Sequence, residues 1–224
     1  ADAGAAAQVT LGLSGNQVPV STYSAKVRIA LGIKGIDYEM VPPPGGYSSP
    51  EYKAIVPVGT IPGLKDGDFI ISESEVITEY IEERYPEPPL LPGNAEQRAR
   101  QRFLARFHDL WLEPHLRATF AHVDPASRDE AALGGCLDRY QARLEQMEAL
   151  IDPGPYLAGE TIGVADCAFP ATFTLADILL PHFGRESRYG PKLQTWRETV
   201  HAHPVVRQVT DESRQATLQW MGAG

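Results

Sequence analysis

Ile61-Pro-Gly-Leu-Lys-Asp-Gly-Asp-Phe-Ile-Ile-Ser-Glu-Ser-Glu-Val-Ile-Thr-Glu-Tyr-Ile81 holds three elements in 21 residues. Asp66-Gly67 is a hairpin signal, so the short apolar runs beside it, Ile61 to Leu64 and Asp68 to Ile71, read as antiparallel strands. The spacing then changes: Val76, Ile77, Tyr80 and Ile81 recur as on a helix face, behind acidic residues that suit the positive end of a helix. Upstream, Gln8 to Ser14 is a β-leaning run closed by Gly15-Asn16. Ser21-Thr-Tyr-Ser24 supplies hydroxyls where a cap is needed ahead of Val27, Ile29, Ala30, Leu31 and Ile33, and that helix should end at Lys34-Gly35. Ile36 to Val41 reads as a second strand and Pro42 to Gly46 as a surface loop. Ser48 to Ile55 reads as a short helix with Pro50 in its first turn. The order is βαβαββα.

Pro86, Pro88, Pro89 and Pro92 interrupt the pattern, since proline continues neither a helix nor a central strand. Beyond them only helical periodicity remains: Ala95 to about His122, Arg128 to Ile151, Val164 to about Leu180, Gln194 to Ala202 and Pro204 to Gln219. The chain therefore divides into an α/β domain over 1–85, with 1–7 expected to be disordered, a proline-rich linker over 86–94 and an all-helical domain over 95–224.

A length of 224 residues accommodates one large domain or two small ones. With 43% hydrophobic and 22% charged residues the composition is that of a globular protein. The formal charge of −9 has the wrong sign for nucleic acid. No apolar run is read as long enough for a membrane span, and no basic residue precedes the alanine-rich start. Cys136 and Cys167 are too few for a disulfide framework and not spaced as a metal pair; both read as buried small apolar residues, and a reducing cytoplasm is the expected location.

A small βαβαββα domain with a proline heading its third strand, joined by a proline-rich linker to a helical bundle, resembles the soluble glutathione transferases, with a thioredoxin-like N-terminal domain. The likeness covers residues 8 to 220 or so. Ser21 to Gly35 resembles helix 1 of the serine-type classes near zeta, tau and phi. Val58-Gly-Thr-Ile-Pro-Gly-Leu64 is similar to the loop before the family's cis-proline, Ser72-Glu-Ser-Glu-Val-Ile77 to its glutamate-serine motif, and Gly159 to Asp166 to its helical capping segment. Three departures stand out. Thr60 occupies a position often held by Gln or Lys, the loop from Ser14 to Ser21 is longer than usual, and Gly163 replaces the usual capping Ser or Thr.

The resemblance implies glutathione as co-substrate, without a metal, and a small, mostly hydrophobic electrophile as second substrate, as in detoxification. A thiol titrating near ~8.5 is mostly protonated at neutral pH, so such a site must form the thiolate. Ser21 is placed to donate a hydrogen bond to the sulfur at the head of helix 1; Ser24, Tyr23, Thr22 and Ser14 are the alternatives. By the same likeness Pro62 is the cis-proline and Ile61 offers its backbone to the cysteinyl part. Thr60 stands where one contact is changed, and Glu73 and Ser74 hold the γ-glutamyl ammonium and carboxylate. Lys53 could reach the glycine carboxylate, whereas Lys34 reads as a helix C-terminal charge. Phe103, Phe107, Leu110, Trp111 and His115 recur at helical spacing on the first bundle helix; Phe107, His108, Trp111 and His115 are the candidates for the second-substrate pocket. Asp166 is assigned to folding. Relatives pair as homodimers. A glutathione-dependent isomerase, with Tyr23 standing where the zeta motif has Cys, a dehalogenase or ether-cleaving enzyme, and a non-catalytic glutathione-binding module are the alternatives on the same scaffold.

Overall fold

The computed structural model describes residues 7–10 and 21–222. Strands β1 (Ala7–Thr10), β2 (Tyr38–Met40), β3 (Gly63–Asp66) and β4 (Phe69–Ser72) form one sheet in the order β2-β1-β3-β4. β1 runs parallel to β2 and antiparallel to β3, and β3 pairs β4 through the Asp66-Gly67 turn, with Leu64 opposite Ile71. Helices α1 (Thr22–Ile33), α2 (Pro50–Lys53) and α3 (Ser74–Arg84) complete the βαβαββα order. Ala7 belongs to β1, and of the run expected to form the first strand residues 11–14 lie outside the described set, as do 1–6.

The first bundle helix does not continue unchanged from 95 to 122. It is α4 (Ala95–Phe107), a π turn (His108–Leu112), α5 (Glu113–Arg117) and a 3-10 turn (Ala118–His122). Pro114 accounts for the break, because in an α-helix its ring would meet the carbonyl four residues back and it has no N–H to give. The bundle continues with α6 (Glu130–Leu150), α7 (Val164–Ala168), α8 (Pro170–His182), α9 (Pro191–Ala202) and α10 (Pro204–Trp220). Contrary to the reading that no apolar stretch is long enough to span a bilayer, Val164–His182 meets that length and hydropathy; it is broken between α7 and α8, and 83% of its apolar window is buried within the bundle.

α1 is buried on nearly every side and serves two cores. Val27 and Leu31 pack with Leu64, Ile77 and Ile81 beneath the sheet, while Ala25, Ile29 and Ala30 join the core of the bundle. Its polar residues are therefore paired across elements: Arg28 with Glu212 of α10, and Lys34 with Glu82 of α3 at 2.6 Å. The Lys34 ammonium also donates to the carbonyls of Tyr85 and Pro88, and Glu82 accepts from the N–H groups of Leu90 and Leu91. Lys34 thus fastens the proline-rich segment to the sheet domain rather than acting as a free charge at a helix end.

The capping segment of the bundle uses glycine for lack of room. A Cβ on Gly163 would lie 2.6 Å from Gln101 Oε1, 2.7 Å from the Ala158 methyl and 2.9 Å from the Leu90 carbonyl. The missing hydroxyl is replaced from another helix: Gln101 Oε1 accepts from the Ala165 N–H at 3.3 Å. Asp166, fully buried, accepts from the N–H groups of Gly163 at 2.9 Å and Leu157 at 2.8 Å and from the Trp196 indole at 2.7 Å. Cys136 and Cys167 are both buried, and burial pushes the Cys167 thiol well up.

Candidate functional site

A cleft of about 540 Å³ opens between the sheet domain and the first bundle helix. The sheet domain supplies Ser21, Tyr23, Tyr47, Thr60, Ile61, Pro62 and the residues from Glu73 to Val76; the bundle supplies Arg106, Asp109, Leu110, Arg117 and Phe120. Apart from Tyr47, in the loop before α2, the sheet-domain contributions come from ends of elements: the head of α1, the loop before β3 and the head of α3.

Ser21 caps α1. Its Oγ accepts from the Ser24 N–H at 3.1 Å, which fixes the side chain and leaves its own proton free to donate into the cleft. The N–H groups of Thr22 and Tyr23 have no partner among the described residues, so the positive end of the helix faces the same place. The neighbouring hydroxyls are committed elsewhere. Thr22 Oγ1 and Tyr23 Oη both donate to the carboxylate of Glu113, each at 2.8 Å. Burial and the Glu113 charge push the Tyr23 phenol far above its ordinary value, so Tyr23 is no source of protons or negative charge at neutral pH. Ser24 Oγ is buried outside the cleft. Ser14 lies outside the described residues.

The loop before β3 is held by Tyr52, whose hydroxyl donates to the Thr60 carbonyl at 2.9 Å. The Ile61-Pro62 bond is cis, and so is Glu87-Pro88 in the linker. The main chain of Ile61 makes no hydrogen bond among the described residues and borders the cleft. Glu73, exposed, has φ +74°, a region that costs a non-glycine residue roughly 1–3 kcal/mol and that turns its side chain into the cleft instead of over the helix. Among the described residues no side chain caps α3, so the N–H groups of its first turn remain available beside Ser74.

Glu113 is fully buried and also accepts from Arg117, at 2.8 Å by Nε; the Arg117 guanidinium in turn lies over the rings of Tyr23 and Phe120. One turn along, the buried Lys26 pairs with Glu75 and, at 3.0 Å, with Asp109. Burial would raise the Asp109 carboxyl, but His108 and Lys26 outweigh it and hold the group below the usual carboxylate range. Arg106 is exposed on the cleft wall and has no carboxylate partner among the described residues.

The four second-substrate candidates do not come together in this cleft. Phe107 belongs to the bundle core. His108 is fully buried, with Nδ1 2.7 Å from Asp109 Oδ1 and Nε2 2.7 Å from Thr172 Oγ1. Trp111 is half-exposed under the Arg143 guanidinium, and His115 lies toward Arg139 and Arg143, where burial and those charges lower its pKa. Two of them, Phe107 and Trp111, stand one position round the helix from the cleft residues Arg106 and Leu110. Of the apolar and aromatic series only Phe107 is buried, Phe103, Leu110 and Trp111 being half-exposed, whereas the row facing the sheet domain reads Arg106, Asp109, Leu110, Glu113, Arg117, mostly charged at the same helical spacing. That row was the available signal. Lys53 is exposed and lies against Gly59, outside the cleft. Among the described residues no group of three His, Cys, Asp or Glu side chains is placed to hold a metal ion.

Residues 17–89 match the family model for the glutathione S-transferase N-terminal domain, and residues 113–204 the model for the C-terminal domain. The chain is 31% identical over 203 residues to the maleylacetoacetate isomerase of Pseudomonas aeruginosa, covering 84% of this chain and 91% of that protein. It is 33% identical over 152 residues to glutathione S-transferase Z2 of Arabidopsis thaliana, covering 65% of this chain and 68% of that one. Among solved structures, the Tau class glutathione S-transferase MiGSTU from mango, Mangifera indica, superposes with a TM-score of 0.77 at 25% identity, over 96% of this chain and 98% of the other.

Proposed function

The chain belongs to the glutathione S-transferase family, and from that premise we propose that its cleft binds glutathione, forms the thiolate at Ser21 and delivers it to a small electrophile lying along the α4 side. The observation that carries this reading is the state of the hydroxyls at the head of α1. Ser21 faces the cleft with a proton to give, while Thr22 and Tyr23 have theirs bound to Glu113.

The chemistry follows from that arrangement. The Ser21 O–H donates to the sulfur, and a hydrogen bond to a charged acceptor is worth roughly 1.5–3 kcal/mol. The head of α1 adds roughly 0.3–1 kcal/mol. At 1.36 kcal/mol per pKa unit the bound thiol should titrate about one to three units below its free value. The thiol proton leaves to solvent, so no base is needed. The unpaired main chain of Ile61 suits the cysteinyl backbone as an added strand. Ser74 and the first turn of α3 suit the γ-glutamyl carboxylate, and Glu73, turned into the cleft, its ammonium. Lys53 is left without a role.

The test is a titration of the protein with glutathione, following thiolate ultraviolet absorbance against pH. A bound thiol titrating well below ~8.5 is expected. Binding with an unshifted thiol would leave a glutathione carrier, and no binding would remove the reading altogether.

A second reading is favoured by Arg106. A cation with no carboxylate partner among the described residues, on the electrophile side, suits a substrate bearing a carboxylate, and one relative is a maleylacetoacetate isomerase. In that reaction the thiolate adds to a carbon–carbon double bond, the resulting single bond rotates, and elimination returns the thiolate and the isomer. The two readings separate by product: glutathione is recovered unchanged from isomerisation and consumed one for one in conjugation. We further propose a homodimer, supported by the exposed Phe69 and Ile70 on edge strand β4 and Phe103 on α4; equilibrium sedimentation tests it.

A further inference from the structure

Lys26 is fully buried on α1, five residues on from Ser21, and its two carboxylate partners both line the cleft. Glu75 stands in the first turn of α3 and Asp109 on the π turn of the bundle; their side chains are 12% and 13% exposed. Asp109 is bonded in turn to His108, and His108 to Thr172 of α8. One ammonium therefore ties α1, α3 and the bundle together directly behind the cleft wall.

Taking an ammonium out of water is costly, and apolar packing in place of a buried ion pair is often as stable. What an apolar residue cannot do is offset the charge of two carboxylates that share one ammonium at the edge of a ligand site. The other titratable groups around this cluster do not replace it. Arg102 of α4 lies toward Glu75 but is engaged by Glu79 at 2.7 and 2.9 Å. Tyr23 of α1 lies near Asp109, and Cys167 of α7 faces Lys26 and Glu75; both are held neutral. His108 already shares Asp109, and Glu73 adds a further negative charge at the head of α3.

We propose that Lys26 is a positioning residue for glutathione: shared by Glu75 and Asp109, it offsets one of their two negative charges behind the γ-glutamyl end of the cleft and holds the head of α3 against the bundle, without touching the ligand. This rests on the glutathione reading above. Glutathione is itself an anion, so two uncompensated carboxylates beside its γ-glutamyl carboxylate oppose binding.

The experiment is calorimetric binding of S-methylglutathione, whose sulfur cannot ionise, to the full chain across mildly acid to neutral pH. Lys26→Met should weaken binding about tenfold at neutral pH. The loss should shrink as the pH falls, because protonating one of the two freed carboxylates removes the excess charge. Lys26→Arg should restore most of the affinity, and adding Glu75→Gln to Lys26→Met should recover it at neutral pH. A Lys26→Met protein with wild-type affinity overturns the proposal. So does a loss that is the same at every pH and is not recovered by Glu75→Gln, which would mark a purely structural residue. Should Lys26→Met not fold, Glu75→Gln alone decides: it leaves Lys26 and Asp109 as a neutral pair, one negative charge fewer beside the ligand, and should tighten binding about threefold, and unchanged or weaker binding overturns the proposal. A wild-type protein that does not bind S-methylglutathione overturns this proposal and the glutathione reading together, whereas wild-type binding with Lys26→Met unaffected overturns this one alone.

Discussion

Ser21→Ala removes a helix cap and the proposed hydrogen bond to the thiolate at once, and the two can be measured apart. The Oγ that accepts from the Ser24 N–H at 3.1 Å is a helix cap, and its loss costs about 1 kcal/mol of stability. For a chain of this size that is a fall of about 2–4 °C in the unfolding midpoint. The hydrogen bond from the hydroxyl to the thiolate is worth roughly 1.5–3 kcal/mol, which at 1.36 kcal/mol per unit raises the bound thiol by about one to two pKa units. Below that pKa the thiolate fraction, and turnover with it, falls by about ten- to a hundredfold. Part of the depression survives, because the Thr22 and Tyr23 N–H groups are untouched. Glutathione affinity should change little, since the head of α3 and the Ile61 main chain are intact. Ser21→Asp separates the two effects: it keeps a good cap but has no proton to donate at neutral pH, so stability holds while the thiol pKa rises further. Thiolate absorbance against pH gives the pKa, and thermal unfolding gives the cap. A bound-thiol pKa in Ser21→Ala equal to that of the wild type would refute the assignment and move the search to residues 11–20, which include Ser14.

Three further outcomes follow from contacts around the site. Glu113→Ala strips the shared acceptor from Thr22, Tyr23 and Arg117 and should cost about 3 kcal/mol in urea unfolding, the low end of the range for a broken buried pair because the Arg117 side chain is 32% exposed. Gly163→Ala forces a methyl between Gln101 Oε1, the Ala158 methyl and the Leu90 carbonyl, and should destabilise by about 1–3 kcal/mol in the same assay. Asp109 is held below its ordinary range in the folded chain, so its contribution is fully present above ~3.9 and is lost as the pH falls through the lower folded value. Asp109→Asn should therefore be less stable than wild type at neutral pH and converge on it in acid, as urea unfolding at a series of pH values would show.

The half of the cleft contributed by the sheet domain was legible in the sequence because its signals are local. A cap, a hairpin turn and the start of a helix are each written in a few adjacent residues: Ser21 before α1, Asp66-Gly67 between β3 and β4, Glu73-Ser74 before α3. The bundle half was not, for a physical reason. On a helix a buried aromatic such as Phe107 stands out, whereas the charged row beside the cleft takes its meaning from partners across the domain boundary that the sequence alone does not show. Those partners are 90 or so residues away in sequence: Thr22 and Tyr23 with Glu113, and Lys26 with Asp109. Pro114 was the local sign that the helix changes geometry here, and it carries the π turn that sets Asp109 beside Lys26.

The same long-range ties suit α1 to carry the proposed hydroxyl chemistry. An element shared by two cores cannot move with one domain alone, and α1 has Val27 and Leu31 in the core under the sheet and Ile29 and Ala30 in that of the bundle. Its first turn is then bonded to Glu113 and its second to Glu75 and Asp109, so each wall of the cleft is referred to the same helix. A donor at the cap of such a helix keeps its distance to both walls, which is what stabilisation of a thiolate by a fixed hydrogen bond demands, since the bond weakens steeply as its angle falls away from linear. Loosening either tie should therefore raise the bound-thiol pKa without removing Ser21: Glu113→Ala is expected to do so by a smaller amount than Ser21→Ala, and a thiol pKa unmoved by Glu113→Ala would mean that the cap alone orients the donor.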